Sequence, residues 1–237
     1  MNTVSVTKNK RLKKTKTKSF MENNNNHLKI EQLETGNSVP AINEVSFFLD
    51  SLIRNDIKYI PWLEYNYKPD VQFAIAYGNG NIYLKYFIKE KFIKATNYKT
   101  NGPVWEDSCV EFFISFDDER AYYNFEFNCI GATLAAYGET KENREFLPID
   151  SIRNIKFQCV INNDRIENDF YWEIAVAIPQ NIFIYNKADT FKGKKCRGNF
   201  YKCGDSLPIP HFISWSAINS AEPNFHLSEF FGALHFV

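Results

Sequence analysis

The sequence predicts an all-β protein: a two-sheet, antiparallel, jelly-roll-like β-sandwich with one short helix near its N-terminus. Aromatic residues make up 16% of the 237 residues, mostly 22 Phe and 13 Tyr, and such residues favour strands. Apolar and polar residues alternate with a period of two in about ten short segments, and turn residues separate these segments. Many short strands with turns between them are typical of a sandwich.

The N-terminal residues 1–27 are predicted to be a disordered tail that precedes a single folded domain over residues 28–237. Seven of the 28 basic residues occur before any acidic residue: Lys8, Lys10, Arg11, Lys13, Lys14, Lys16 and Lys18. From residue 19 onwards, 21 basic residues stand against 28 acidic ones, a net charge of −7. A body with this charge is a poor candidate for nucleic-acid binding.

No apolar run follows the basic tail, so the sequence shows no signal peptide, and no later run is long enough to span a bilayer. As written, the chain is therefore expected to be cytoplasmic.

The first structural element after the tail is a predicted amphipathic helix in AINEVSFFLDSLIRND. Its apolar residues Ile42, Val45, Leu49 and Leu52 recur at helical spacing. After Trp62 the period changes to two. Residues 71–77 and 82–90, separated by GNGN, read as a β-hairpin.

Eight further segments have the composition and alternation of strands. They are residues 108–116, 121–129, 133–138, 155–161, 170–178, 199–204, 211–216 and 232–237.

Alternation divides these strands into a core face and an outer face. In 108–116 the even positions from Val110 to Phe116 are large and apolar, which predicts the core face, whereas Glu111 faces the other way. Applied to 121–129 as well, the same division places four polar residues on one sheet surface: Glu111, Asn124, Glu126 and Asn128.

Such a surface, bordered by Tyr and Trp, suits sugar recognition. Carboxyl and amide groups pair with hydroxyls, and the C–H face of a pyranose packs on an aromatic ring. A solvated sheet face, with Trp105 burying a loop, is the alternative reading. The C-terminal segment raises the same question, because it combines polar and aromatic candidates: Lys202, Asp205, His211, Trp215, Phe225 and His226.

The five cysteines are odd in number and form no Cys-x-x-Cys pair. The spacing therefore indicates neither a disulfide framework nor a zinc site.

Three stretches together resemble the family 9 carbohydrate-binding modules, in particular the branch common in polysaccharide-degrading gut bacteria. The first is VWEDSCVEFFISF at 104–116, in which Glu111 follows Trp105 by six residues. The second is Tyr-x-Phe-x-x-Asn at 123–128 with Gly131, and the third is Ser-Trp…Phe-His…Phe-Gly-x-Leu within 214–234.

That resemblance implies a non-catalytic β-sandwich that holds the end of a β-glucan or xylan chain between two aromatic side chains. Trp105 would be one wall, and Trp215 or Phe225 the other. Four residues would bond the sugar hydroxyls: Glu111, Asn128, Lys202 and Asp205.

The resemblance also implies association with glycoside hydrolases and an extracytoplasmic location. No cofactor is expected, although the turn Asp117-Asp118-Glu119 could supply oxygen ligands for a structural calcium ion. Extra segments at 139–154 and 186–204 depart from the family pattern and could reshape the cleft.

Three alternatives remain open at this point. A glycoside hydrolase could use Asp107 and Glu111, or Glu126 from another strand, as its carboxylate pair. A related haem-binding sandwich uses Met and His, but the only methionines are Met1 and Met21, in the tail. The third alternative is a structural or partner-binding sandwich with a vestigial cleft.

Overall fold

The computed structural model describes residues 26–34, 38–116, 120–164, 166, 168–186 and 190–237. Residues 1–25 of the predicted tail lie outside this part of the chain, as does the predicted calcium-binding turn at 117–119.

Most of the described structure is β-strand. The strands in the described residues are β1 (His27–Gln32), β2 (Asn55–Asp56), β3 (Asp70–Gly78), β4 (Asn81–Glu90), β5 (Cys109–Phe116), β6 (Tyr122–Asn128), β7 (Thr133–Gly138), β8 (Arg144–Phe146), β9 (Lys156–Asp164), β10 (Asp169–Pro179), β11 (Lys195–Cys203), β12 (Phe212–Ser214) and β13 (Gly232–Phe236). Every strand segment expected from alternation is present. The strands β1, β2 and β8 were not expected. β2 and β8 have only two and three residues, too few to show alternation, and β1 has only two apolar positions.

The strands form one continuous hydrogen-bonded path, in the order β8-β7-β6-β5-β11-β13-β1-β3-β4-β10-β9. β12 joins β11, and β2 joins β3. The first four residues of β1 pair in parallel with β13, and its last two pair in parallel with β3. The expectation of a two-sheet antiparallel sandwich is therefore confirmed only in part: the other strand pairs are antiparallel, but β1 pairs in parallel along both edges and joins the two halves.

The core lies where the path curls and its two halves face each other. Phe73 of β3 stacks on Phe200 of β11 with ring centroids 3.8 Å apart, and Phe200 stacks on Phe112 of β5 at 4.9 Å. All three rings are fully buried. The even positions of β5, from Val110 to Phe116, belong to this cluster, which confirms the predicted core face.

The β3–β4 hairpin is confirmed as a two-residue turn. Asn79 and Gly80 have φ values of 47° and 70°, as a type I′ turn requires. The predicted helix is also confirmed: α1 (Ile42–Asp50) buries Val45 and Leu49 against the outer face of this half of the sheet. A second, unexpected helical turn is α2 (Ile149–Ile152).

Within the described residues, no helix is long and apolar enough to cross a membrane.

The outer face of the other half is covered rather than solvated. Side chains from the C-terminal segment, such as Phe225 and Phe231, pack with Trp62 against Phe113 and Tyr201 of the sheet. The gap between this cover and the sheet forms the candidate site.

Candidate functional site

A cleft of about 320 Å³ opens on the outer face of β5, β6 and β11. Four of the seven residues predicted to bind the sugar line it: Trp105, Glu111, Asp205 and Phe225. They come from one strand and three separate loops, so only the folded chain brings them together.

Trp105 forms one side of the cleft and is half-buried on a 3₁₀ turn over Val104–Glu106. Its carbonyl oxygen accepts a hydrogen bond of 3.1 Å from the amide of Asp205, and the carbonyl of Glu106 accepts one of 3.2 Å from Ser206. The loops that carry Trp105 and Asp205 are thereby held together by backbone hydrogen bonds.

Asn128 does not face the cleft. Its amide nitrogen donates to the carbonyl of Asn97 at 2.6 Å and to Asp107 Oδ2 at 3.0 Å, and its amide oxygen accepts from the backbone of Ala132. The side chain is thus used to anchor the loop that precedes Trp105. It follows that Asn128 positions the first wall of the cleft and does not reach a ligand there.

Asp107 is fully buried in the same network. Burial acts to raise its pKa, but hydrogen bonds from the backbone of Asn97 and Thr96 and from Asn128 outweigh it, so the pKa lies below its usual value. A carboxylate held in this way is not free to transfer a proton in the cleft, which argues against the Asp107–Glu111 pair of the hydrolase alternative.

Phe225 also lines the cleft and belongs to the segment that covers the sheet. Its ring stacks on Tyr201 with centroids 4.2 Å apart and an interplanar angle of 11°, and its carbonyl accepts a hydrogen bond from the Tyr201 hydroxyl. The position of this aromatic side chain is therefore fixed from below by β11.

Trp215, the other candidate for the second wall, lies in the main core. Its ring meets Phe73 and Phe200 edge-on, at centroid distances of 6.2 and 5.5 Å. It follows Ile213 on the core-facing side of β12, and both belong to the cluster between the two halves of the sheet. Of the two candidates, the structure brings only Phe225 to the cleft.

Lys202 also faces the core. It shares the parity of Phe200 on β11, so the pleat directs both side chains inward. Its ammonium group is fully buried, 2.9 Å from Glu90 Oε2 and 2.9 Å from His211 Nε2. Lys202 therefore cannot donate to a ligand in the cleft, contrary to the expectation from sequence.

The floor of the cleft carries two carboxyl groups, because Glu111 of β5 pairs directly with Glu126 of β6. Burial, together with the nearby charge of Glu126, raises the pKa of Glu111 well above its usual value. Burial also raises the pKa of Glu126, to about 7, even though Arg144 acts in the opposite direction. Two carboxyl groups are thus buried side by side at the floor of the cleft.

Arg144 and His226 complete this side of the cleft. Arg144 donates to Glu126 Oε1 at 3.3 Å and lies 3.1 Å from His226 Nε2. Since arginine can only donate, Nε2 accepts, and Nδ1 carries the proton that reaches the Tyr122 hydroxyl at 2.9 Å. Burial and the charge of Arg144 lower the pKa of His226 to about 3, so the imidazole is neutral.

Sequence reasoning did not select Arg144, which lies on the three-residue strand β8 within the extra segment 139–154. That segment was expected to reshape the cleft, and Arg144 and Lys141 from it do line the cleft. Alternation over three residues carries no usable signal about orientation.

A larger depression of about 530 Å³ lies on the other half of the sheet, beside Phe87 and Tyr171. The guanidinium of Arg54 already covers the Phe87 ring at 3.6 Å, so this ring does not offer a free face to a sugar. The smaller cleft is the better candidate because it brings together Trp105, Glu111, Asp205 and Phe225.

Comparison with known proteins decides the family. The model of carbohydrate-binding family 9 matches residues 44–236. The chain belongs to carbohydrate-binding family 9.

Solved structures agree with this family 9 assignment. A protein of Bacteroides uniformis to which carbohydrate binding has been attributed is 36% identical, with a TM-score of 0.82 over 89% of this chain and 99% of that one. A family 9 module of Caldicellulosiruptor kristjanssonii, solved with glucose and with cellotriose, is 12% identical in each structure. The glucose complex covers 90% of this chain and 96% of that one at a TM-score of 0.59; the cellotriose complex covers 89% and 93% at 0.57. At this identity the module supports the fold alone. No functionally curated protein matches the chain.

Proposed function

We propose that this family 9 protein is a non-catalytic carbohydrate-binding module that holds a saccharide in the cleft between Trp105 and Phe225. The observation that supports the proposal is that Trp105 and Phe225, from separate loops, line the same cleft as the carboxyl groups of Glu111 and Glu126. In such a module, the two halves of the curled sheet act as a β-sandwich scaffold.

The floor of the cleft offers partners for sugar hydroxyls. Glu126 Oε2 is buried and has no hydrogen-bond partner in the described part of the chain. A buried carboxyl oxygen without a partner is costly, and a ligand hydroxyl that donated to it would remove this cost. Glu111 and Asp205 offer further oxygens, while Arg144 can donate.

The volume of the cleft sets the size of the ligand. At about 320 Å³ it lies at the lower end of the roughly 300–1,000 Å³ that is common for small-molecule sites. A short saccharide, or the end of a longer chain, fits this size better than the middle of a polysaccharide. One or two stacked rings and a few hydrogen bonds correspond to a Kd of about 1 μM to 1 mM.

The biological role that follows is capture of an oligo- or polysaccharide, in support of polysaccharide degradation by associated glycoside hydrolases. β-Glucan and xylan are the first ligands to test, because they are the ones that the resemblance to characterised modules implies. A structural calcium ion at Asp117, Asp118 and Glu119 stays a prediction.

Isothermal titration calorimetry with a panel of cello-, xylo- and other oligosaccharides tests the proposal. We expect binding by the wild-type protein and at least a tenfold loss of affinity in Trp105→Ala, which corresponds to about 1.4 kcal/mol. Tyr98→Ala is the matched control, since Tyr98 is 75% exposed and lies outside the cleft. Absence of heat with the whole panel, or unchanged affinity in Trp105→Ala, would refute the proposal.

One observation favours a second function, glycoside hydrolysis. Glu111 and Glu126 face each other across an antiparallel pair, where Cβ atoms lie about 4.5–5.5 Å apart, and retaining glycosidases place their carboxyl groups about 5 Å apart. Release of reducing sugar that is lost in Glu126→Gln would establish this activity. No release over long incubation with ligands that bind would exclude it.

A further inference from the structure

Two cysteines and an acid meet at the floor of the cleft. Cys109 of β5 pairs directly with Cys203 of β11, and Glu111 lies two residues further along β5 on the same face. The two Sγ atoms and a carboxyl oxygen of Glu111 all lie within 4.8 Å of one another. The thiol of Cys203 is already 3.1 Å from Glu111 Oε1.

We propose that Cys109, Cys203 and Glu111 form a binding site for a thiophilic divalent cation, for which zinc is the best match. Zinc takes thiolate, imidazole and carboxylate ligands in tetrahedral geometry, with Zn–S of about 2.3 Å and Zn–O of about 2.1 Å. Those lengths require ligand atoms roughly 3.6–3.8 Å apart. The observed separations, from 3.1 Å to at most 4.8 Å, bracket this requirement, so small side-chain rotations suffice.

Two of the three ligand residues line the cleft, so the fourth coordination position would open toward it. Cys203 and Glu111 line the cleft, whereas Cys109 lies behind them, fully buried. A cation held by the three side chains thus remains accessible to water or to a ligand oxygen. Three protein ligands with one open position are the arrangement of zinc sites that interact with a small molecule rather than serving the fold alone.

The local charge also fits a dication. Zinc binds thiolates, so binding releases the two thiol protons to solvent. Two thiolates and one carboxylate then leave a net charge of −1 around the ion. Arg144, which bonds the neighbouring Glu126, supplies a nearby positive charge that acts on Glu111.

The experiment uses the full chain, kept reduced with a phosphine and freed of metal by chelation, and titrates it with Co²⁺ and then Zn²⁺. We expect one equivalent of Co²⁺ to give thiolate-to-cobalt charge-transfer absorption in the near ultraviolet, and Zn²⁺ to displace it. Cys203→Ser and Glu111→Gln should each weaken cobalt binding at least tenfold.

Cys159→Ser is the matched control, because Cys159 is a half-buried cysteine on β9, outside the cluster. It should leave the titration unchanged. Thermal unfolding shows whether each variant folds, and the nearly isosteric Glu111→Gln keeps the test valid if Cys203→Ser does not fold.

Three results would overturn the site: no charge-transfer band, unchanged affinity in a folded cluster variant, or a Cys109–Cys203 disulfide that persists under mild reduction, detected by mass spectrometry. None of these measurements depends on saccharide binding. The metal site and the proposed function can therefore fail separately.

Discussion

Replacement of Lys202 by methionine tests whether the buried Lys202–Glu90 ion pair stabilises the fold. The ammonium group of Lys202 lies 2.9 Å from Glu90 Oε2, and both side chains are fully buried. Lys202 also donates hydrogen bonds to the Cys203 carbonyl and to His211 Nε2. Glu90 in turn accepts a hydrogen bond of 2.6 Å from Trp172 Nε1.

Lys202→Met would leave the Glu90 carboxylate buried without a compensating charge. Removal of one partner from a buried pair typically costs about 3–5 kcal/mol, a large share of the roughly 5–15 kcal/mol by which a domain is stable. The double variant Lys202→Met/Glu90→Gln removes both charges and keeps an acceptor for Trp172. It should therefore be more stable than Lys202→Met alone.

Urea unfolding of the four proteins of this cycle, followed by tryptophan fluorescence, gives the coupling energy. Arg153→Met is the matched control, because Arg153 forms an exposed ion pair with Asp150 at 3.0 Å and its side chain is 72% exposed. We expect that control to lie within about 0.5 kcal/mol of wild type.

The reasoning is refuted if Lys202→Met costs no more than Arg153→Met, or if the double variant loses the sum of the two single losses. A second readout separates the core role from the sugar-binding role expected from sequence. At a temperature where Lys202→Met is folded, its saccharide affinity should match that of wild type.

Three further variants test the fold and the cleft. Phe73→Ala should cost about 3–5 kcal/mol in urea unfolding because it empties the stack on Phe200, whereas the 75% exposed Phe47→Ala should change stability by about 0.5 kcal/mol at most. Gly131→Ala should lower the melting temperature more than Gly193→Ala. Both glycines have a left-handed backbone, with φ of 83° and 76°, so both substitutions strain it. Only at Gly131 would the new Cβ also clash with a ring, 2.2 Å from an atom of Phe157. Because the pKa of His226 is lowered to about 3 in the fold while an unfolded histidine titrates near 6.5, the unfolded chain takes up the extra proton, and stability is lost as pH falls below 6.5. His226→Gln should therefore lose about 2–3 kcal/mol less than wild type between pH 6.5 and 4.5, measured by urea unfolding at each pH; equal losses would contradict the assignment.

Alternation predicted a strand and its two faces well where one face is apolar and the other carries polar residues. In β5, large apolar residues occupy every even position, so Glu111 could be placed on the outer face without any knowledge of its neighbours. The same rule predicted that Glu126 shares that face, and the register of β5 with β6 sets the two acids opposite each other.

At Lys202, the alternation rule and the residue type indicate opposite faces of the strand. Its parity with Phe200 directs it into the core, but a lysine reads as solvent-exposed unless a buried partner is known. That partner, Glu90, is at the end of a strand from the other half of the sheet. The role of Asn128 was missed for a similar reason. Its hydrogen-bond partner Asp107 lies in a loop, where periodicity gives no information about side-chain direction.

The sequence by itself determined ten of the strand segments, the hairpin, the first helix, the outward position of Glu111 and the resemblance to family 9, because each depends on local spacing along the chain. Only the tertiary structure decided that β1 joins both halves, that Phe225 rather than Trp215 reaches the cleft, and that Cys109 and Cys203 meet beside Glu111. These outcomes depend on the register between distant strands and on the paths of loops. Side chains far apart in sequence come within bonding distance only when the whole core has packed. The local periodicity of the sequence contains no information about such contacts.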